Sequence, residues 1–212
     1  MKTVLIIGAG GGLGKALKDV FIKNGWETIA LSHEDVDVAK QKSIEELVKK
    51  LQGKPIDVLI NCAGVYDGPA DGDPTATTID GIAKVFQVNT IGAKILADLL
   101  VPNFLKGKER LVVTISSIMS IYSQLDEYAA KHWSYGASKM AVNYAMISFT
   151  KEHPEIKSVL IHPGWVKTKI GGKDALIKPE ESAQGIYKLI INHTSSLPNG
   201  KLIDYQGTLI EF

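Results

Sequence analysis

The chain has 212 residues, a length that suits one α/β domain and that can bury a substantial hydrophobic core. Hydrophobic residues make up 45% and charged residues 22%, as in an ordinary soluble globular protein. The net charge is only +1, and Arg110 is the one arginine among 24 basic residues. This balance argues against nucleic acid or an anionic membrane surface as a partner.

Targeting and redox signals favour a cytoplasmic protein. Cys62 is the single cysteine, so it has no intrachain partner for a disulfide and nothing indicates an oxidising compartment. The apolar run that starts at Thr3 is too short for the core of a signal peptide. No stretch approaches the roughly 20 apolar residues of a membrane helix, so we expect no membrane partner.

Apolar runs of strand length alternate along the chain with amphipathic stretches of helix length. The predicted strands are Thr3–Ile7, Thr28–Leu31, Val36–Val38, Asp57–Ile60, Leu111–Ile115, Val159–Ile161 and a short one near Lys201–Ile203. The predicted helices are Lys15–Lys23, Ile44–Leu51, Ile79–Leu105, Tyr135–Lys151 and Glu180–Ile191. This alternation predicts an α/β fold with a single doubly wound parallel sheet of the Rossmann type and helices on both faces.

Individual residues in the sequence indicate where two helices begin, where a surface loop lies and how many domains the chain forms. Ser43 with Glu46 three residues later predicts a capping box at the second helix, and Pro179 suits the first turn of the last helix. The segment Tyr66–Thr78 is rich in Gly, Pro, Asp and Thr, and we interpret it as a surface loop because sheet-forming sequence resumes after it. Residues 1–212 are therefore expected to form one domain.

A glycine-rich segment follows the first predicted strand and precedes the first predicted helix. It reads Gly8-Ala9-Gly10-Gly11-Gly12-Leu13-Gly14. Unpaired N–H groups and the helix dipole favour negative charge at a helix N-terminus, and glycines let the backbone approach phosphates closely. This context favours a dinucleotide-binding loop over a turn without a ligand.

Tyr135 and Lys139 are four residues apart, so a helix places them on one face. A lysine ammonium beside a tyrosine hydroxyl lowers the tyrosine pKa, and such a tyrosine can protonate a nascent alkoxide near neutral pH. The same spacing is also typical of a helix-surface pair and occurs by chance in a chain this rich in lysine. Only the other motifs in the sequence favour a catalytic interpretation of Tyr135 and Lys139.

Together these motifs resemble those of the short-chain dehydrogenase/reductase family, in the family's order and over essentially the whole chain. They are the glycine motif at Gly8, Gly12 and Gly14, Asn61-Cys62-Ala63-Gly64, Asn89, Ser117 at a strand end, Tyr135 with Lys139, and Pro163-Gly164 with Thr168. Cys62 departs from the family pattern, which has asparagine there, but removes no reacting group. The segments Leu160–Val166 and Ile203–Gly207 are most similar to the Sniffer and C-factor type of carbonyl reductase.

The resemblance implies an NAD(P)H-dependent oxidoreductase that reduces an aldehyde, ketone or quinone to an alcohol. Tyr135 would donate the proton, Ser117 would hydrogen-bond the carbonyl oxygen, and Lys139 would lower the Tyr135 pKa and bind the nicotinamide ribose. Asn89 would hold a water that links Lys139 to solvent. The implied cofactor contacts are Gly8, Gly11, Gly12, Leu13, Gly14, Ser32, His33, Asp37, Val38, Asn61, Ala63, Gly64, Tyr135, Lys139, Pro163, Gly164, Val166 and Thr168.

The remaining chemistry-bearing residues are interpreted as structural. Cys62 fits a small buried residue under the cofactor better than a nucleophile. The histidines show no zinc-site spacing, so no metal is expected. Several aromatic residues can equally line a substrate pocket or pack in the core: Tyr66, Tyr122, Trp133 and Trp165.

Three other functions stay open: a cofactor-binding signalling or scaffold protein, a 3-oxoacyl-type reductase, and a dehydratase or epimerase on the same scaffold. The intact Ser117, Tyr135 and Lys139 argue against a pure binder. The short segment from Thr168 to Lys178 leaves little chain for a large lid, which favours a small or medium apolar carbonyl substrate over a charged acyl carrier.

Two predictions concern assembly and the wall of the substrate pocket. The family resemblance implies a homodimer or homotetramer through Ile79–Leu105 and Tyr135–Lys151, since these two helices form such a contact in many family members. The second of them is apolar on more than one side here, as an interface helix would be. The segment Ser120–Trp133 is expected to form one wall of the pocket, with Tyr122 and Trp133 as apolar contacts.

The residues after the second predicted strand favour NADPH over NADH. The position where NAD-using relatives carry aspartate falls on Ser32, and the next, where many NADP-using relatives carry arginine, falls on His33. Both side chains can donate hydrogen bonds to a 2′-phosphate. Against this, Glu34 and Asp35 follow directly, and a shift of one residue would bring Glu34 to the ribose. Asp37 matches the position that contacts the adenine amino group.

Overall fold

The computed structural model describes residues 1–66, 78–193 and 196–212. Its strands are β1 Thr3–Ile7, β2 Glu27–Leu31, β3 Val58–Asn61, β4 Leu111–Ile115, β5 Lys157–His162, β6 Leu202–Asp204 and β7 Leu209–Ile210. Its α-helices are α1 Gly12–Lys23, α2 Gln41–Lys50, α3 Ile79–Phe86, α4 Ala93–Leu99, α5 Val101–Phe104, α6 Glu127–Lys131, α7 Trp133–Glu152 and α8 Pro179–His193.

The described strands form one sheet in the order β2-β1-β3-β4-β5-β6-β7. All neighbours pair in parallel except β6 and β7, which are antiparallel. The order reverses between β1 and β3, so the carboxyl ends of these two strands flank the crevice in which open α/β sheets bind ligands. The predicted fold class is confirmed; the short strand β7 was not predicted.

Alternate residues of each strand enter two separate cores, because side chains of a strand point to opposite faces. Leu5 and Ile7 of β1 pack with residues of α2, α4 and α7. Val4 and Ile6 pack on the other face with residues of α1 and α8. Both faces of the sheet are therefore covered, which explains why the strand sequences read as continuous apolar runs.

The predicted strand Val36–Val38 is wrong, although both valines are buried. The backbone N–H of Val36 donates to the Ser32 carbonyl at 3.1 Å, which closes a turn directly after β2. The backbone N–H of Asp37 donates to Ser43 Oγ at 2.9 Å. Local partners therefore take the backbone groups that a strand would use for a ladder.

The predicted capping box at Ser43 is also wrong, since α2 begins at Gln41 and the Ser43 hydroxyl serves the Asp37 N–H instead. The single helix predicted for Ile79–Leu105 is divided. A π-helical turn at Gln87–Gly92 separates α3 from α4, and a break at Leu100 precedes Pro102 in α5, because proline cannot supply an N–H.

The remaining predicted helices are confirmed, with α7 beginning two residues earlier than expected and α8 beginning at Pro179. None of the helices in the described ranges combines the length and the apolar content needed to cross a membrane. The predicted loop Tyr66–Thr78 lies outside the described residues, apart from its two ends. Thr78 accepts the Gly81 N–H at 3.0 Å and so caps α3.

Candidate active site

The glycine loop is built by close backbone packing between strand ends. Gly8 has φ of +89°, and a Cβ there would lie 2.6 Å from the Ala63 backbone nitrogen that follows β3. A Cβ on Gly14 would overlap the Gly8 carbonyl. The N–H groups of Gly8 and Ala9 both donate to the Leu31 carbonyl at the end of β2. Glycine is therefore required here by the packing of the loop itself, before any ligand is considered.

The N-terminus of α1 fits a pyrophosphate. The helix begins at Gly12 after Gly11, without a side-chain cap and without an acidic residue in its first turn. Gly11 and Gly12 are exposed, so their backbone can be approached from solvent. A Cβ on Gly12 would lie 3.1 Å from Thr168 Cγ2, which places the threonine beside the same cradle. An anion here would meet unpaired N–H groups and the positive end of the helix dipole.

The end of β2 carries the residues that would meet the adenosine ribose. A Cβ on Gly10 would lie 3.2 Å from Ser32 Cβ, so Ser32 adjoins the glycine loop. The Ser32 N–H and hydroxyl each donate to the Asp35 carboxylate at 2.8 Å. These hydrogen bonds lower the Asp35 pKa, so this carboxylate is ionised at neutral pH. His33 is exposed next to it.

Asp37 and Val38 lie in the loop that replaces the expected third strand. The Asp37 carboxylate accepts the Ala39 N–H at 3.1 Å and forms an ion pair with Lys40 at 3.1 Å. The π-helical turn packs directly on this loop, because a Cβ on Gly92 would overlap the Val38 carbonyl. The loop is thus held from two sides, by α2 and by the turn before α4.

The segment after β3 passes between the glycine loop and α7. Asn61 is buried at the end of β3, and the Cys62 N–H donates to the Ile7 carbonyl at 2.9 Å. Burial raises the pKa of the Cys62 thiol to about 12, so the thiol is protonated at neutral pH and is a poor nucleophile. A Cβ on Gly64 would lie 3.6 Å from both Asn89 Oδ1 and Lys139 Nζ.

Three side chains meet at the carboxyl end of β4. Tyr135, in the first turn of α7, is hydrogen-bonded to the Ser117 side chain, which follows β4. Lys139, one helical turn after Tyr135, is buried, and its Nζ donates to the Ile115 carbonyl at 2.8 Å. Its ammonium lies 5.6 Å from the centroid of the Tyr135 ring. The structure therefore brings together the three residues that the sequence motifs selected.

Burial sets the protonation of this cluster. It raises the pKa of Tyr135 to about 12, and the hydrogen bond from Ser117 opposes this only in part. Burial also lowers the pKa of Lys139 to about 8. Lys139 Nζ donates to the Ile115 carbonyl, and the expected effect of Lys139 on the Tyr135 pKa stays a prediction. Tyr135 therefore carries its proton at neutral pH.

Asn89 lies in the π-helical turn, a distortion that is frequent at functional sites. Its Oδ1 accepts the Val65 N–H at 2.8 Å, and its Nδ2 donates to the Val65 carbonyl at 2.9 Å and to Ser138 Oγ at 3.0 Å. Both amide hydrogens are thus engaged with protein atoms. The side chain ties the segment after β3 to α7, and the expected role of Asn89 in holding a water stays a prediction.

The segment that begins with Pro163-Gly164 leads to Thr168, which lies beside Gly12 of the glycine loop. Gly164 has φ of +81°, and a Cβ there would clash with Ile177 and lie 3.2 Å from the Tyr205 ring. The Pro163 carbonyl accepts the Ser182 hydroxyl at 2.7 Å. Val166, buried, forms a parallel bridge with Ile177. These contacts fix the course of the chain that brings Thr168 to Gly12.

From the sequence, Tyr66 could equally line a substrate pocket or pack in the core. The Tyr66 ring lies 5.2 Å from the Tyr135 ring in an edge-on arrangement and 4.9 Å from the His132 ring. His132 in turn lies 4.5 Å from Tyr128. The signal in the sequence was only that an aromatic residue follows the Asn61 motif; the ring contacts join positions 66, 128, 132 and 135, which no local spacing reveals.

Comparisons with known proteins identify the family of this chain. A family model for short chain dehydrogenase matches residues 32–176. The C-signal protein of Myxococcus xanthus is 34% identical over 157 residues, which cover 73% of this chain and 91% of that protein. A carbonyl reductase from Pseudomonas aeruginosa PAO1, solved in complex with NADP, is 27% identical with a TM-score of 0.81, and the match covers 100% of both chains.

The carbonyl reductase Sniffer of D. melanogaster has the same fold, with a TM-score of 0.85, 23% identity and 100% coverage of both chains. Three features together define an NAD(P)-dependent oxidoreductase: the Rossmann sheet, the glycine loop at the N-terminus of α1, and the hydroxyl groups of Ser117 and Tyr135. The chain belongs to the short-chain dehydrogenase/reductase family; it is similar in sequence to C-signal, as the motifs indicated, and it shares its fold with Sniffer.

Proposed function

We propose that this protein is an NADPH-dependent carbonyl reductase that converts an aldehyde, ketone or quinone to an alcohol. One observation carries the proposal: the side chains of Ser117 and Tyr135 are hydrogen-bonded to each other, and Lys139 lies beside them at the carboxyl end of β4. A protein that only bound a dinucleotide would not need a buried proton donor at this place.

Each residue has a separate role in the proposed reaction. The nicotinamide cofactor, when bound, supplies a hydride to the carbonyl carbon. Tyr135 gives its phenolic proton to the carbonyl oxygen; its raised pKa keeps that proton in place until the oxygen becomes basic. The Ser117 hydroxyl, already held toward Tyr135, hydrogen-bonds the same oxygen and positions it. Lys139 is assigned to the nicotinamide ribose, and Gly11 to Gly14 are assigned to the pyrophosphate.

The proposed substrate is a small or medium apolar carbonyl compound. Large apolar side chains are exposed along the turns and the short helix that follow Ser117: Tyr122, Leu125, Tyr128 and Trp133. Tyr128 connects to the catalytic Tyr135 through the rings of His132 and Tyr66. Exposed aromatic side chains beside a reactive centre favour an apolar substrate over a charged carrier.

A turnover assay with three substrates tests this proposal. We expect kcat/KM for an aromatic aldehyde or a quinone to exceed that for a 3-oxoacyl thioester. The opposite order, by a factor of about ten, would favour the 3-oxoacyl reductase alternative; 3-oxoacyl-[acyl-carrier-protein] reductase FabG of Thermotoga maritima is 28% identical to this chain. The same assay on Tyr135→Phe tests whether turnover depends on the tyrosine. Tyr144→Phe is the matched control for that variant, because Tyr144 is on the same helix as Tyr135 but is 78% exposed.

A cofactor-binding signalling protein is the second candidate function, and the similarity to C-signal favours it. The two functions differ in one measurable respect. A signalling protein would bind NADPH, with no turnover of any carbonyl substrate that depends on Tyr135. Binding measured by quenching of protein fluorescence, together with the substrate panel, separates the two.

Cofactor choice depends on the residues at the end of β2. The proposed preference for NADPH is supported by Ser32 beside the glycine loop, by the exposed His33 that follows it in the chain, and by the similar reductase that was solved with NADP. The Asp35 carboxylate, bonded to Ser32, acts in the other direction because it repels a 2′-phosphate. The ratio of kcat/KM for NADPH to that for NADH measures the balance.

Assembly and location are further proposals. We propose a single-domain cytoplasmic protein that forms a homodimer or homotetramer through α3, α4 and α7. Large side chains are exposed on these helices and the turn between them: Ile79, Ile91, Leu99 and Met140. Light scattering at micromolar concentration tests the assembly, and a single 23.0 kDa species would contradict it.

A further inference from the structure

His162 ends β5, directly before Pro163, and its imidazole meets the chain that carries Ser117. The backbone N–H of Ile118 donates to His162 Nδ1 at 3.2 Å. Ile118 immediately follows Ser117, so this hydrogen bond joins the end of β5 to the residue next to the reactive hydroxyl. The sequence had favoured only a structural role for this histidine.

A network of hydrogen bonds holds the turn after β4 and determines where the Ser117 hydroxyl points. Ser117 Oγ accepts the Met119 N–H at 3.1 Å, and the Ser117 carbonyl accepts the Ser120 hydroxyl at 2.6 Å. Asn143 of α7 binds both Ser116, at 2.6 Å, and Ser120, at 2.8 Å. These bonds hold the turn against α7, whereas the Ile118–His162 bond holds it against β5.

We infer that His162 is a positioning residue for Ser117: its neutral imidazole accepts the Ile118 N–H through Nδ1 and thereby fixes the turn that aims the Ser117 hydroxyl at Tyr135. The inference rests on the proposed function, since Ser117 matters for rate only if a carbonyl oxygen is bound there. A displacement of about 1 Å in a reacting group can cost about 10²-fold in rate.

The contact requires one protonation state. A nitrogen that accepts a hydrogen bond carries no proton, so the proton of the neutral ring is on Nε2. Burial lowers the pKa of His162, and the Asp204 carboxylate on the neighbouring strand β6 opposes this effect. Residues 115–121 and 163–166 contain no titratable side chain. On α8, Glu181 accepts a hydrogen bond from the Tyr205 hydroxyl at 3.2 Å.

The pH dependence follows from the lowered pKa. The acceptor is present at neutral pH, and it is lost only as the pH falls below the usual histidine value of about 6.5 toward the lower folded pKa. Protonated His162 would present an N–H to the Ile118 N–H, which breaks the contact. The rate should therefore fall on the acid side by a step that belongs to His162.

Two substitutions separate the hydrogen bond from the bulk of the ring. His162→Asn keeps an acceptor oxygen close to the position of Nδ1, and His162→Leu removes the acceptor. We expect His162→Leu to lower kcat by about 10- to 100-fold with KM for NADPH unchanged, and His162→Asn to stay within about threefold of wild type. His153→Leu is the control, because His153 lies at the other end of α7 and binds neither Ser117 nor Ile118 through any described contact.

The pH profile and a structural readout complete the test. The acid step of the wild-type kcat profile should disappear in His162→Asn. In the cofactor-free protein, ¹⁵N NMR should show Nδ1 of His162 without a proton, and the Ile118 amide should exchange faster in His162→Leu than in wild type. A protonated Nδ1 at pH 7, or wild-type kcat in His162→Leu, overturns the inference.

The design also distinguishes failure of the inference from failure of the proposed function. If the wild type has no carbonyl turnover, the proposed function fails, and the NMR readout alone decides whether His162 holds Ile118. If turnover depends on Tyr135 but not on His162, the proposed function stands and the inference fails. If His162→Leu does not fold, the Asn variant decides: an unchanged acid step in its profile overturns the inference.

Discussion

Replacing Tyr135 with phenylalanine removes one oxygen atom from the candidate site and leaves the ring. The ring is held by Tyr66 edge-on at 5.2 Å and by the Lys139 ammonium at 5.6 Å, and neither contact needs the hydroxyl. The Ser117 hydroxyl loses one partner but still accepts the Met119 N–H at 3.1 Å. We therefore expect the variant to fold, at a cost of about 0.5–1.5 kcal/mol for the lost hydrogen bond.

The catalytic loss should be much larger than the structural loss. Proton transfer by a positioned side chain typically contributes about 10²–10⁴-fold, which corresponds to about 2.7–5.4 kcal/mol of transition-state stabilisation. The phenol is buried and holds its proton, with a pKa of about 12, so Tyr135 is the group assigned to proton transfer beside Ser117. Tyr135→Phe should thus lose at least about 99% of kcat and retain cofactor affinity.

Steady-state kinetics with an aromatic aldehyde, together with a fluorescence titration of NADPH, measures both quantities. Tyr144→Phe is run in parallel as the control for loss of an exposed tyrosine hydroxyl. A Tyr135→Phe variant with near-wild-type kcat would refute the assignment of Tyr135 as proton donor. Loss of NADPH binding in the same variant would instead show that the hydroxyl is a cofactor contact.

Three further predictions concern charge, cofactor choice and packing. Lys139→Met should raise the free energy of unfolding of the cofactor-free protein at pH 7 by on the order of 1–3 kcal/mol, because burial has lowered the Lys139 pKa to about 8. For the same reason, wild-type stability should gain a contribution as the pH rises from 8 toward 10.5, which urea titrations should show to be absent in the variant. Asp35→Asn should increase the ratio of kcat/KM for NADPH to that for NADH, and His33→Ala should decrease it; unchanged ratios in both would place the 2′ site elsewhere. Gly92→Ala should lower the free energy of unfolding by about 1–3 kcal/mol, since the new Cβ would overlap the Val38 carbonyl. A urea unfolding midpoint equal to that of the wild type would contradict this packing.

The sequence by itself determined which segments are buried and in what order the motifs occur. Strands β1 and β4 have the bounds that their apolar runs predicted, and the glycine loop lies between a strand and a helix as expected. These features are local: an apolar run reports burial, and a helix places Tyr135 and Lys139 on one face whatever else the chain does. The family resemblance rested on the same local motifs.

Only the tertiary structure decided how the buried segments use their hydrogen bonds. Val36 and Val38 are buried as their pattern indicated, yet the N–H of Val36 bonds to Ser32 and that of Asp37 to Ser43, so no strand forms. Apolar periodicity cannot distinguish a strand from a buried loop here, because it indicates which side chains are buried and not which backbone groups form hydrogen bonds with each other.

The same limit applies to the candidate site. The site combines residues that are far apart in sequence. Ser117 follows the end of β4, Tyr135 lies at the start of α7, and His162 ends β5. The parallel order of the sheet brings these ends to one edge. The Ile118–His162 hydrogen bond and the raised Tyr135 pKa exist only because that edge is buried by α7, a property of the packed molecule that no spacing in the sequence encodes.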